Sequence, residues 1–194
     1  MNQLHKQIFV AAVAAAALVG FATTPVAQEA KKDAGDKQQA KKEMKKDKAA
    51  KGGPDAKHAH QIAQSDMAEV QAGKMGVSKA TSPEVKKFAQ SMVEDHGKHL
   101  GELRTMAKTK GMQLPSTPAK KHQDAMKKLE SASGAEFDKL FMTQMVKDHE
   151  DALKLVQDTA KKAKDAELKA DAEKTAPVIQ KHLEEAKRIA ASLK

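Results

Sequence analysis

From about residue 58 to the C-terminus, apolar residues recur at spacings of three and four, the period of an α-helix with one buried face. The first such run, about His60 to Ala80, carries Ile62, Ala63, Met67, Val70 and Val77, with Asp66, Glu69 and Gly73 on the same side. Ser82-Pro83 then starts a second run, since serine caps and proline is tolerated at the first helical position. Its stripe is Val85, Phe88, Ala89, Met92, Val93, His96, Leu100, Leu103 and Ala107, and Gly111 ends it. Thr117-Pro118 is expected to cap a shorter helix through Met126 and Leu129. After Ser133-Gly134 a third long helix carries Phe137, Leu140, Phe141, Met145, His149, Leu153 and Val156. The last, Asp165 to Leu193, carries Leu168, Ala172, Thr175, Ile179, His182, Ala186, Ile189 and Leu193, and Pro177 is expected to kink or split it. No alternating β-branched run predicts a strand. The pattern predicts an all-α fold: an antiparallel four-helix bundle with one short extra helix.

Two of these helices share a sequence. Phe88 to Leu100 reads F-A-Q-S-M-V-E-D-H-G-K-H-L, and Phe141 to Leu153 reads F-M-T-Q-M-V-K-D-H-E-D-A-L. Phe, Met, Val, Asp, His and Leu coincide in register, so the pair reads as two related helices and not as a repeat array. Each puts a histidine in its apolar stripe.

The N-terminal third has a different character. Residues 1–27 read as a signal peptide: His5 and Lys6 precede an apolar stretch from Ile8 to Ala22, short for a membrane span, and small residues follow. Export to the periplasm or cell envelope is the expected consequence. Residues 28–57 are Lys, Ala, Gln, Asp and Gly with almost nothing apolar, which predicts a disordered basic tail with transient helix near Gln38–Ala50. The bundle domain is expected to span residues 58–194.

Charge and composition narrow the function. The formal charge is +9. Ten lysines stand against five acidic residues between Lys31 and Lys57, so the tail is the densest cationic segment. Arg104 and Arg188 are the only arginines, and no aromatic interleaves the lysines, which argues against nucleic-acid binding. The tail reads first as a merely solvated segment, with weak contact with an anionic envelope surface as the alternative use of its charge. Cysteine is absent, excluding disulfides and thiolate ligands. There is no Gly-rich phosphate loop and no serine in a nucleophile context, so a non-enzymatic role is expected. Met67, Met92, Met106 and Met145 fall on core stripes, where packing explains them.

The candidate chemistry lies in histidine. His96, His149 and His182 each fall near the middle of a long helix, and Glu69 near the middle of the first. With a rise of about 1.5 Å per residue, mid-helix positions of packed antiparallel helices meet at similar height. One polar layer across an apolar core is expected, made of His96, His149, His182 and Glu69. Asp95 and Asp148 lie one residue back, where each can reach a histidine on a neighbouring helix and fix its tautomer. Such a set would suit one transition-metal ion: zinc, copper or iron. The competing reading is a layer that sets helix register and binds nothing. His99 is a flank position that could join His96, while His58, His60 and His122 read as surface residues.

These residues resemble the domain-of-unknown-function 4142 family, an exported bacterial group described as ferritin-like. The shared features are Asp66-Met67-Ala68-Glu69, Phe88-Ala89 through Met92-Val93-x-Asp95-His96, Leu114-Pro115, Phe137-Asp138, Met145-Val146-x-Asp148-His149, and Pro177 leading to His182. The resemblance implies an exported ferritin-like helical bundle of unestablished biochemical role. Ferritin-like di-iron sites use Glu-x-x-His pairs. Here Val93 and Val146 stand three residues before His96 and His149, so a single-metal site, or none, fits the residues better than a di-iron centre. A metal-dependent oxidoreductase of ferritin-like type is the remaining enzymatic alternative.

Overall fold

The computed structural model describes residues 53–193. The expected signal peptide, and the expected tail up to residue 52, lie outside them. Five helices and no strands are found among the described residues: α1 (Pro54–Lys79), α2 (Pro83–Thr109), α3 (Lys120–Ser131), α4 (Gly134–Lys162) and α5 (Ala166–Ser192). None is long and apolar enough to cross a membrane.

Pro54 opens α1, so residues 54–57, expected in the disordered tail, are helical. Proline at the first position lacks only an N–H that would have had no partner there. Ser82 caps α2 by accepting from Val85 N, and Asp165 caps α5 by accepting from Glu167 N and Leu168 N at 3.1 and 3.0 Å. Thr117 does not cap α3. That helix starts at Lys120, with no side-chain cap from Ala119. Pro177 does not split α5, which runs unbroken around it. Pro177 is exposed, so its missing hydrogen bond falls on the solvent side, where water can take the freed carbonyl.

Short connections pair α1 with α2 and α4 with α5, and α1 packs on α4 and α2 on α5. Each hairpin turn is held by an aspartate from the other hairpin. Asp138 of α4 accepts from Thr81 N, Thr81 Oγ1 and Ser82 N at 3.0, 2.6 and 2.8 Å. Asp55 of α1 accepts from Lys164 N and Asp165 N at 3.1 and 2.8 Å. Asp138 is buried, so Asp138→Ala removes three hydrogen bonds to a carboxylate, two of them from the exposed Thr81. The expected loss is about 3 kcal/mol in urea unfolding.

The α1–α2 contact is close because two glycines permit it. A Cβ at Gly73 would lie 2.8 Å from Ala89 O, and one at Gly76 would lie 2.6 Å from Ala89 Cβ and 2.9 Å from Phe141 Cζ. Two stripe positions face outward instead of inward. Val77 is 39% exposed and Leu140 40%. Leu140 adjoins Phe141, and its neighbour Asp138 takes an inward place by binding the α1–α2 turn.

The core falls into two apolar clusters. One contains Phe88, Met92, Phe137, Phe141, Met145 and Ala186; the other contains Ile62, Met67, Leu100, Ala152, Val156 and Ile179. Along α2 the chain passes from the first cluster at Met92 to the second at Leu100, and His96 lies between. His149 lies likewise between Met145 and Ala152, His182 between Ile179 and Ala186, and Glu69 between Met67 and Ala72. The polar residues therefore occupy the seam between two greasy blocks.

Candidate metal centre

His96, His149 and His182 meet in that seam. Their ring centroids are 5.5, 5.5 and 5.6 Å apart, an almost equilateral triangle. One donor atom from each lies within 4.8 Å of the others. All three are buried, and His149 is wholly so. Phe88 borders the group, its ring 6.1 Å from His149 and 6.4 Å from His182.

Each ring has one nitrogen engaged. His149 Nδ1 is 2.8 Å from Met145 O, and a carbonyl only accepts, so that nitrogen carries the proton. His96 Nδ1 donates to Asp66 Oδ1 at 3.0 Å, and His182 Nε2 to Asp95 Oδ2 at 3.0 Å. The opposite nitrogens, His96 Nε2, His149 Nε2 and His182 Nδ1, are buried and have no hydrogen-bond partner. In these tautomers each bears a lone pair. Three lone pairs gathered in an apolar space are mutually repulsive unless a cation or Lewis acid is among them.

The electrostatics disfavour charge on His149 and His182. Burial, together with the repulsion that a charged His96 would add, lowers the His149 pKa from its ordinary 6.5 to about 3. His182 is lowered by the same two causes, its bond to Asp95 opposing them. Asp66 would be raised by burial, but hydrogen bonds from His96 and His99 outweigh it and hold the carboxyl below its ordinary value.

Several expected participants stand elsewhere. Glu69 is fully buried, but its carboxyl is 3.9 Å from His149 Nδ1, beside the engaged nitrogen and outside the trio of donor atoms. Burial, and then the charges of Asp148 and Asp66, raise its pKa well above 4.5. Asp95 does reach a histidine on a neighbouring helix, His182. Asp148 reaches His122 instead, at 3.5 Å, and accepts from Gln144 Nε2 at 2.9 Å. His122 is buried and not a surface residue, because α3 folds it down onto α4 at Asp148. His58 and His60 are half-buried.

His99 does not join the trio. Its Nδ1 donates to Asp66 Oδ2 at 2.8 Å and its Nε2 to Asp171 Oδ2 at 3.1 Å, with Thr175 Oγ1 at 3.2 Å from the same nitrogen. Burial opposes its charge, but the two carboxylates prevail and raise its pKa to about 10. Asp66 is thus held by a cationic His99 on one side while it orients His96 on the other. Sequence reasoning missed this role. The available signal was spacing: Asp66 lies three residues before Glu69, and His99 three after His96, each pair on one helix face.

Comparison with solved structures places the fold among known helical proteins. A Streptomyces coelicolor protein described as "putative secreted protein DUF305" matches with a TM-score of 0.64 and 12% identity, over 72% of this chain and 92% of that one. CopM, in its Cu(II)-bound form, matches with a TM-score of 0.63 and 17% identity, over 72% of this chain and 97% of that one. At these identities the likeness is one of fold. No curated protein matches by sequence. Residues 39–189 match the domain of unknown function DUF4142, and the chain belongs to that family.

Proposed function

We propose that this is an exported cell-envelope protein that binds one transition-metal ion at His96, His149 and His182. The observation that carries the reading is the set of three partnerless, buried ring nitrogens converging between the two apolar clusters. Their residues fit the group. Each ligating nitrogen is left bare because the ring's other nitrogen is held by Asp66, Met145 O or Asp95, the arrangement that fixes tautomer and orientation in histidine metal sites. A metal–nitrogen bond of about 2.0–2.1 Å would set the nitrogens about 3.3 Å apart. One donor atom of each ring already lies within 4.8 Å of the others.

Copper is the first candidate among zinc, copper and iron. Imidazole suits all three, and the absence of carboxylate from the trio disfavours iron. A neighbour in fold, CopM, is known in a Cu(II)-bound form. All three rings are buried, which favours ion binding over turnover of an organic substrate. The antiparallel, ferritin-like four-helix arrangement would supply a rigid frame without di-iron chemistry. Export is supported by the signal-like N-terminus and by a fold neighbour described as secreted.

Protein purified without a metal-affinity column should take up one Cu(II) per chain. Copper at 100 times its Kd should raise Tm by roughly 8 °C, the equivalent of about 2.7 kcal/mol. No uptake and no rise in Tm would leave a layer that only sets packing. In that case His96→Leu should keep the fold and stability intact.

A further inference from the structure

The trio is buried, so an ion must have a way in. The first apolar cluster closes one direction along the helices. The α1–α2 seam is tight at Gly73, against Ala89 O, and at Gly76, against the Ala89 and Phe141 side chains. The α1–α4 seam differs. On its outside lies an open groove of about 620 Å³, lined in part by His58, His122 and Asp158. Its inner wall includes Ser65, Ala152 and Leu155. The same three residues also line a cavity of about 10 Å³ that Asp66, His96 and the His99 held between Asp66 and Asp171 line as well. Groove and cavity are therefore back to back, divided by one layer of side chains.

Resting on the metal reading, we infer that this groove is the loading vestibule of the histidine centre and that Ser65, Ala152 and Leu155 form its neck. The chemistry of the rim agrees. His58 Nε2 lies 3.8 Å from Asp158, and His122 also faces the groove, so nitrogen and oxygen donors for a borderline cation stand at the entrance. The neck is built from small side chains at Ser65 and Ala152. Leu155 is half-buried and unbranched at Cβ, so a rotamer change can open it without moving a helix. Of the three rings, His96 is the one that lines the cavity behind this neck.

A route and a binding site leave different kinetic marks. A bulkier neck should slow entry and exit together and leave the equilibrium unchanged, because the neck touches neither end state. Stopped-flow loading of the full chain with Cu(II), and its removal by a chelator, measure both. Ser65→Phe should slow each rate about tenfold or more, and Leu155→Ala should speed each by a similar factor, with the same Kd and the same helical circular dichroism as the parent. Two variants of opposite sign guard against a folding defect in either. Wild-type rates in both variants, with normal Cu(II) affinity, would overturn the vestibule and leave the metal centre standing. A change in release rate alone, with altered Kd, would also overturn it, placing these residues in the site itself. Failure of the parent protein to take up Cu(II) would overturn the metal centre and this route with it.

Discussion

His149→Gln is expected to weaken Cu(II) binding by at least about 100-fold, more than the range of 10–100-fold associated with residues that merely orient a metal ligand. His149 is the least exposed of the three rings and its free Nε2 has no other use in the fold. Glutamine roughly keeps the volume and supplies an amide, so packing suffers less than with alanine. Asp66→Asn should fall within the smaller range, since it loosens His96 without removing a donor. Competition titration against a copper chelator, at fixed salt and pH, ranks the two variants. If the histidines served packing alone, both would bind copper as the parent does, through whatever exposed donors it has.

Acid is expected to destabilise the metal-free protein steeply. His149 has a folded pKa of about 3 against an ordinary 6.5. Below 6.5 the unfolded chain takes up a proton that the folded chain refuses, so stability falls as pH falls. The contribution is complete above 6.5 and is lost between 6.5 and about 3, with a limiting slope of about 1.4 kcal/mol per pH unit for one group. His182, also lowered, adds to it in the same direction. His99 has the opposite sign. Its folded pKa of about 10 gives a contribution that is complete below 6.5 and lost as pH rises toward 10. Urea unfolding between pH 4 and 9 should therefore show a maximum near neutrality. His149→Leu should flatten the acid limb, and Asp171→Asn should flatten the alkaline one.

The helices were legible because their apolar periods were long and their starts were marked chemically. Ser82-Pro83 and Asp165 stand where the caps are found. Periodicity also placed His96, His149 and His182 on inward faces, since each is flanked by core residues three or four positions away. What the sequence could not convey was rotation within the layer. Glu69 is inward by pattern, yet its side chain lies against the far edge of His149, a matter of a few ångströms that helix spacing does not resolve. The tertiary roles of Asp138 and Asp55 were equally hidden, because each binds a turn more than fifty residues away. His122 was misjudged because α3 is short and mostly polar, and only its docking on Asp148 buries the ring.

The central claim is that three imidazole nitrogens share one ion. Diffraction from crystals of the copper-loaded protein, collected on both sides of the copper absorption edge, tests it most directly. The account predicts one anomalous peak inside the bundle, about 2.0–2.1 Å from His96 Nε2, His149 Nε2 and His182 Nδ1. A peak confined to surface histidines, or a trio that stays empty at saturating copper, would contradict it.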